Sequence, residues 1–184
     1  MERLSFVDTG NTRHRWSGEY PNTMLEYLYT SLNYEGFKSN TQHTLDGKWK
    51  RLGTLSTFDQ TEFYTGVDWD DKNFEGRENG YIYVPTKCTD GTVSCKVHFV
   101  LHGCGGKPKA MFKSYNEVAA LNNIIMIYPD TRCWDSHAKV GIDPANFMKK
   151  TGILPSAFKA MIERVTGGTG GGSGEDPTCT AYDA

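Results

Sequence analysis

Residues 96–108 read KVHFVLHGCGGKP, and further along residues 124–129 read IIMIYP. The first stretch alternates. Val97, Phe99 and Leu101 point one way and His98, Val100 and His102 the other, the two-residue period of a strand. It breaks into glycines around Cys104. The second stretch is a continuous apolar run closed by Pro129, as expected of a strand covered on both faces. Between them MFKSYNEVAALNN (111–123) brings Met111, Phe112, Tyr115, Ala119 and Asn122 into helical register. Strand, helix and buried strand in that order predict a right-handed crossover in a parallel sheet, and hence an α/β fold.

Working outward, PSAFKAMIERV (155–165) is predicted to be an amphipathic helix with Ala157, Phe158, Met161, Ile162 and Val165 inward. PNTMLEYLYTSLN (21–33) places Met24, Leu25, Leu28, Tyr29 and Leu32 on one helical face behind Pro21. LGTLSTFDQTEF (52–63) reads as a strand followed by a turn. DWDDKNFEGREN (68–79) reads as a charged loop, and GYIYVP (80–85) as a short strand ended by Pro85. The body is assigned to residues 1–165. From 166 the composition changes to TGGTGGGSGEDPTC, a flexible Gly/Ser linker, so 166–184 forms a separate segment.

The chain has 184 residues, enough for one domain with a genuine core. A formal charge of −2 gives no electrostatic footing for nucleic acid or an anionic membrane. No apolar run approaches the length of a membrane span. Residues 1–11, MERLSFVDTGN, contain no apolar h-region, so no secretory signal is visible there. Five cysteines point the other way, to an oxidising compartment. Cys88 and Cys95 flank TDGTVS, a turn-like segment that a disulfide can close. Reduced, buried cysteines in a cytosolic protein are the competing reading. The cysteines and the absent signal agree if residue 1 is not the natural start.

A glycine turn straight after a strand serves three chemistries. A phosphate loop would need Gly at 101 and a hydroxyl at 108, or a third glycine at 108; Leu101 and Pro108 stand there. A zinc site could draw on His98 and His102. Cys88 and Cys95 are too far apart for the usual knuckle, however, and no second pair answers them. The third chemistry is an oxyanion hole, in which main-chain N–H groups hold the charge that develops on a carbonyl oxygen. A turn with glycines at 103, 105 and 106, at the carboxyl end of a parallel strand, suits that task. The HG-x-G pattern is similar to the oxyanion loop of esterases.

Several stretches in order carry a wider resemblance: FDQTEF (58–63), GYIYVPTKC (80–88), VHFVLHGCGG (97–106), YNEVAALNNIIMIYPDT (115–131) and CWD (133–135). Together they resemble polyhydroxybutyrate depolymerases and related secreted polyester esterases, over about residues 20–165. The helix at 20–33 resembles one upstream in that family. The tail PTCTAYDA resembles the opening of a short module appended to some of its members.

The resemblance implies an α/β-hydrolase-like sheet, partial here, with rearranged strand order and flanking helices. It implies an extracellular serine ester hydrolase of polyester, without metal or organic cofactor. Cys104 matches the residue whose backbone N–H helps form the oxyanion hole. Trp134 matches a tryptophan bordering the substrate crevice, although CWDSHAKVG lacks the aromatic residues that follow it in the family. The resemblance pairs Cys104 with Cys133 and Cys88 with Cys95. His14, in TGNTRHRW, matches the general base.

No G-x-S-x-G occurs in the chain; around Ser173, GGSGE has Glu175 where glycine is needed. No acid of a triad can be assigned, Asp8 lying too close to His14. His43 sits in a polar loop and His98 in a strand, His102 is placed to brace the turn, and His137 stands where the family has an aromatic residue. The expectation is the C-terminal half of such an enzyme, inactive alone and partnered by the missing N-terminal half. Two alternatives stand beside it. One is a noncatalytic polymer-binding or scaffold protein using Trp134, Tyr81 and Tyr83. The other is a feruloyl or acetyl esterase of plant polysaccharide.

Overall fold

The computed structural model describes residues 25, 28, 29, 36–38, 47–89, 91, 93–134, 143–147 and 149–167. Four strands form one mixed sheet in the order β1-β2-β4-β3: β1 (Gly53–Asp59), β2 (Asn79–Pro85), β3 (Lys96–Phe99) and β4 (Ile124–Tyr128). β1 pairs with β2, and β2 with β4, in antiparallel fashion; β3 runs parallel to β4. Between β3 and β4 lies helix α1 (Phe112–Asn122), so the strand–helix–strand unit read from 96–129 is present with its strands adjacent. Helix α2 (Ile153–Val165) follows β4.

Side-chain alternation divides the core between the two faces of the sheet. Tyr83, Met126 and Tyr128 pack with Tyr115, Val118 and Ala119 of α1 on one face, joined by Leu25, Tyr29 and Trp49. Ile127 packs with Ala157 and Met161 of α2 on the other, with Ile82, Val97, Phe99 and Phe158 beside them. All five residues of β4 are buried, as an apolar run covered on both faces requires. Register follows: Ile82 and Phe99 both stand opposite Ile127 on the α2 face, Tyr83 and His98 opposite Met126 on the α1 face.

α1 ends at Asn123 with φ 53°, a left-handed position that asparagine tolerates better than most residues. It is buried on more than its apolar face. Glu117 accepts the N–H of Gly47 at 3.0 Å, and Asn122 takes the N–H of Lys38 at 2.7 Å and donates to its carbonyl at 2.8 Å. These polar contacts explain why burial there exceeds the hydrophobic pattern.

Three expectations need correction. β3 is shorter than the alternation in 96–102: one further bond, Val100 N–H to Ile127 O at 2.9 Å, follows Phe99, and Leu101 is 41% exposed. The chain leaves the sheet there because His102 turns inward to buried polar partners. The loop 68–79 is charged but not solvent-filled. Asn73, Phe74 and Arg77 are buried, and Tyr64, Trp69 and Phe74 form an aromatic cluster with ring centroids 5.1–6.0 Å apart. Of the helix expected over 21–33, the described residues are Leu25 and Tyr29, both buried, and Leu28, which is exposed rather than inward.

Candidate functional site

β3 and β4 are parallel, so the turn 102–106 and the segment 129–134 leave the sheet side by side at its carboxyl end. A disulfide between Cys104 and Cys133 joins them. A second, between Cys88 and Cys95, closes the connection from β2 to β3 at the opposite end. Both pairings agree with those implied by the resemblance.

The turn has two glycines that its geometry needs. Gly105 has φ +72°, and a side chain on Gly106 would come within 2.8 Å of the Gly103 carbonyl oxygen. Gly103 shows neither constraint: a side chain there would meet open space. The Gly105 N–H donates to Arg132 O at 2.7 Å and the Gly106 N–H to Gly103 O at 2.8 Å. Among the described residues, the Cys104 N–H makes no hydrogen bond, and Cys104 is exposed. The turn thus uses two of its five amides to hold itself and leaves those of His102, Gly103 and Cys104 without a hydrogen bond among the described residues.

A buried polar cluster lies beneath. Arg77 Nη1 donates to Asp130 Oδ1, both side chains being 8% exposed, and to the carbonyls of Thr131 at 3.1 Å and Gly106 at 3.4 Å. His102 Nε2 lies 3.2 Å from the same Asp130 oxygen, and its Nδ1 donates to Gly103 O at 2.8 Å. Gln60, fully buried, donates from Nε2 to the carbonyls of Arg77 and Asp130, each at 2.6 Å, and accepts the Asp130 N–H at 3.1 Å. Burying a charge is tolerable only when it is paired, and here the Asp130 carboxylate is paired with the Arg77 guanidinium. Burial, and after it the Asp130 carboxylate, push the neighbouring Tyr64 phenol far above its ordinary range, so it stays neutral.

Trp134 is half-buried at the rim. Its Nε1–H donates to His102 O at 2.7 Å, and its ring lies 5.4 Å from that of His102 and 5.9 Å from that of Phe158, which stacks on Phe99 at 4.9 Å. The ladder ties the indole to the α2 face of the core. Tyr83 is excluded as a polymer contact because it is fully buried, its hydroxyl donating to Trp49 O at 2.7 Å. Tyr81 packs against Phe112 at 5.1 Å.

The structure therefore brings Cys104, Cys133 and Trp134 together and places Cys88 and Cys95 elsewhere. His14 lies outside the described residues, as do Asp8, His43, His137 and Ser173. Among the described residues, no three His, Cys, Asp or Glu side chains are grouped to hold a metal ion, and no helix is long and apolar enough to cross a membrane. Both disulfides are compatible with an oxidising, extracellular setting.

Sequence reasoning missed Gln60, Arg77 and Asp130. Gln60 and Asp130 lie inside FDQTEF and YPDT, stretches that carried the resemblance without a role. Arg77 is one charge among many in 68–79, and periodicity gave it no mark.

No family model matches the chain. It is 38% identical over 167 residues to a poly(3-hydroxybutyrate) depolymerase of Delftia acidovorans, covering 84% of this chain and 30% of that protein. It is 26% identical over 169 residues to a polyhydroxybutyrate depolymerase of Talaromyces funiculosus, covering 78% and 44% respectively. The chain thus spans less than half the length of these curated relatives. Among solved structures, PHB depolymerase from Penicillium funiculosum superposes with a TM-score of 0.46 at 23% identity, over 64% of this chain and 42% of that one. The chain is thus a partial match to the polyhydroxybutyrate depolymerases, over most of its own length and less than half of theirs.

Proposed function

We propose that this chain supplies the oxyanion-binding part of a carboxylic ester hydrolase that cleaves polyhydroxyalkanoate-type polyesters. The observation that carries the reading is the Cys104 amide. It makes no hydrogen bond among the described residues and belongs to an exposed residue at the carboxyl end of a parallel strand pair, on a turn fixed by a disulfide. Both relatives are named for polyhydroxybutyrate, which favours a polyester over plant-wall feruloyl or acetyl esters.

In the proposed reaction a serine hydroxyl, carried outside these 184 residues, attacks the ester carbonyl carbon while a histidine takes its proton. His14 is this chain's candidate for that base. The carbonyl oxygen gains the electron pair as the C–O double bond opens, and the Cys104 N–H holds the charge. A donor so placed is worth ~3 kcal/mol of barrier, or two to three orders of magnitude in rate. The pair then returns, the alcohol end of the polymer leaves with the histidine's proton, and water releases the acyl group as a hydroxy acid. Trp134 forms an apolar wall beside the carbonyl, and an extracellular site of action is compatible with the disulfides.

The test uses p-nitrophenyl butyrate. The chain alone is expected to give no turnover. Fused behind the part of the Delftia protein that it does not match, it is expected to restore turnover. Phosphonate-sensitive turnover by the chain alone would overturn the reading, and so would a folded fusion without activity.

A further inference from the structure

We propose that the buried Arg77–Asp130–His102 cluster is the positioning device of the 102–106 turn, with these three as positioning residues that aim the Cys104 amide. The proposal rests on the oxyanion reading above for its catalytic meaning, but its mechanical content stands on the contacts themselves. Two main-chain carbonyls of the turn are gripped from below: Gly103 O by His102 Nδ1 at 2.8 Å and Gly106 O by Arg77 Nη1 at 3.4 Å. The same two side chains converge on one Asp130 oxygen, which belongs to the segment following β4. Arg77 also holds Thr131 O in that segment, at 3.1 Å. Asp130 thus joins two pieces of chain that the sheet no longer pairs, because the last ladder bond between them is that of Val100 to Ile127.

The cluster is itself fixed from a third piece of chain. Gln60 bonds both the Arg77 and the Asp130 main chains, and Asn73 O accepts the Arg132 N–H at 2.7 Å, Arg132 in turn receiving the Gly105 N–H. Every bond to the turn comes from the protein side. An arginine or histidine beside an ester hydrolase site would ordinarily invite a catalytic role. Here both are at most 8% exposed, Arg77 donating to Asp130 and to carbonyls and His102 lying between Asp130 and the Gly103 carbonyl. Acting on the substrate is left to the amide they position.

The Cys104–Cys133 disulfide offers a readout in the chain itself. It spans the same two pieces of chain as the cluster, so the two must be thermodynamically linked, each favouring the other to the same degree. Cys88–Cys95, at the other end of the sheet, is an internal reference. In a Cys179→Ser background, each couple is equilibrated with a dithiol buffer and quantified separately by mass spectrometry of the alkylated peptides.

Asp130→Asn is expected to lower the formation constant of Cys104–Cys133 about tenfold, a rise of about 30 mV in potential, and to leave Cys88–Cys95 within about twofold. If Asp130→Asn does not fold, His102→Gln and His102→Ala carry the test with the Arg77–Asp130 pair intact. Glutamine can place its amide nitrogen near the imidazole Nε2 and is expected to retain most of the wild-type value, whereas alanine loses it. Equal shifts of both couples would mean general destabilisation and overturn the proposal, as would no shift in a folded variant.

In the active fusion described above, the same substitutions are expected to reduce kcat at least tenfold with KM unchanged. A selective redox shift with unchanged kcat would support the cluster's grip on the turn and overturn the assignment of Cys104 as oxyanion donor. The two readings therefore fail separately.

Discussion

His98 gives the sharpest test of the packing that carries the site. Its ring projects from β3 to the α1 face, with Nδ1 3.3 Å from the Tyr29 hydroxyl and the ring 6.5 Å from that of Tyr115. Burial there disfavours the charged ring and lowers its pKa from 6.5 to about 4. The unfolded chain therefore binds a proton in a range where the folded chain does not. Stability is complete above about pH 6.5, falls as the pH drops to about 4, and is not reduced further by this group below that. The full shift corresponds to about 3 kcal/mol, of which about 2.5 kcal/mol is lost between pH 7.5 and 4.5. With a urea dependence of about 1–3 kcal/mol per molar, the midpoint should fall by roughly 0.8–2.5 M. The assay is urea unfolding followed by tryptophan fluorescence at several pH values, for the wild type and His98→Gln. Glutamine can still meet the Tyr29 hydroxyl but does not titrate in this window, so its curve should be flatter by that amount. Equal slopes in the two proteins would refute the reasoning and place the pH dependence elsewhere.

Other outcomes follow from single contacts. Gln60→Ala removes three buried bonds to the Arg77 and Asp130 main chains and is expected to cost roughly 2–4 kcal/mol in the same urea assay. Trp134→Phe keeps a ring against Phe158 but loses the donor to His102 O; it should cost about 1 kcal/mol and remove one component of the near-ultraviolet dichroism. Opening Cys104–Cys133, whose partners are 29 residues apart, by Cys→Ala at both positions should cost about 3.5 kcal/mol by loop entropy. Opening Cys88–Cys95, 7 residues apart, should cost about 2.5 kcal/mol, so the order of the two midpoints checks the account.

The strand–helix–strand unit was legible in the sequence because its signals are local. Ile124 to Tyr128 is apolar at every position, and the residues facing α1 and α2 alternate with a period of two. The end of β3 was not legible. KVHFVLH alternates through His102, but the alternation continues past the point where pairing stops, and only the buried partners of His102 reveal why. The candidate site divides in the same way. The glycine turn and the cysteines are marked by composition. Arg77, Gln60 and Asp130 come from three separate stretches, and nothing in any one stretch records that they meet. The charge-rich 68–79 segment misleads for the same reason: its buried arginine is polar in the sequence and satisfied only in three dimensions.

That division bears on which parts of ester hydrolysis this chain can contain. An oxyanion donor needs a fixed main-chain direction, and a direction can be set locally. Here a positive-φ glycine, a disulfide to the neighbouring segment and an ion cluster below all constrain the same five residues. None of these constraints requires the nucleophile. A nucleophile with its base is a different problem, since proton transfer demands two side chains within hydrogen-bond reach of each other and of the same carbonyl. In the proposed enzyme, then, the electrostatic contribution is built into this chain in advance, while the bond-making groups must be brought to it. Restored turnover in the fusion would need only that a serine arrive about 3 Å from a carbonyl already resting on the Cys104 amide. Loosening the cluster would reduce that turnover without weakening the binding of the polymer.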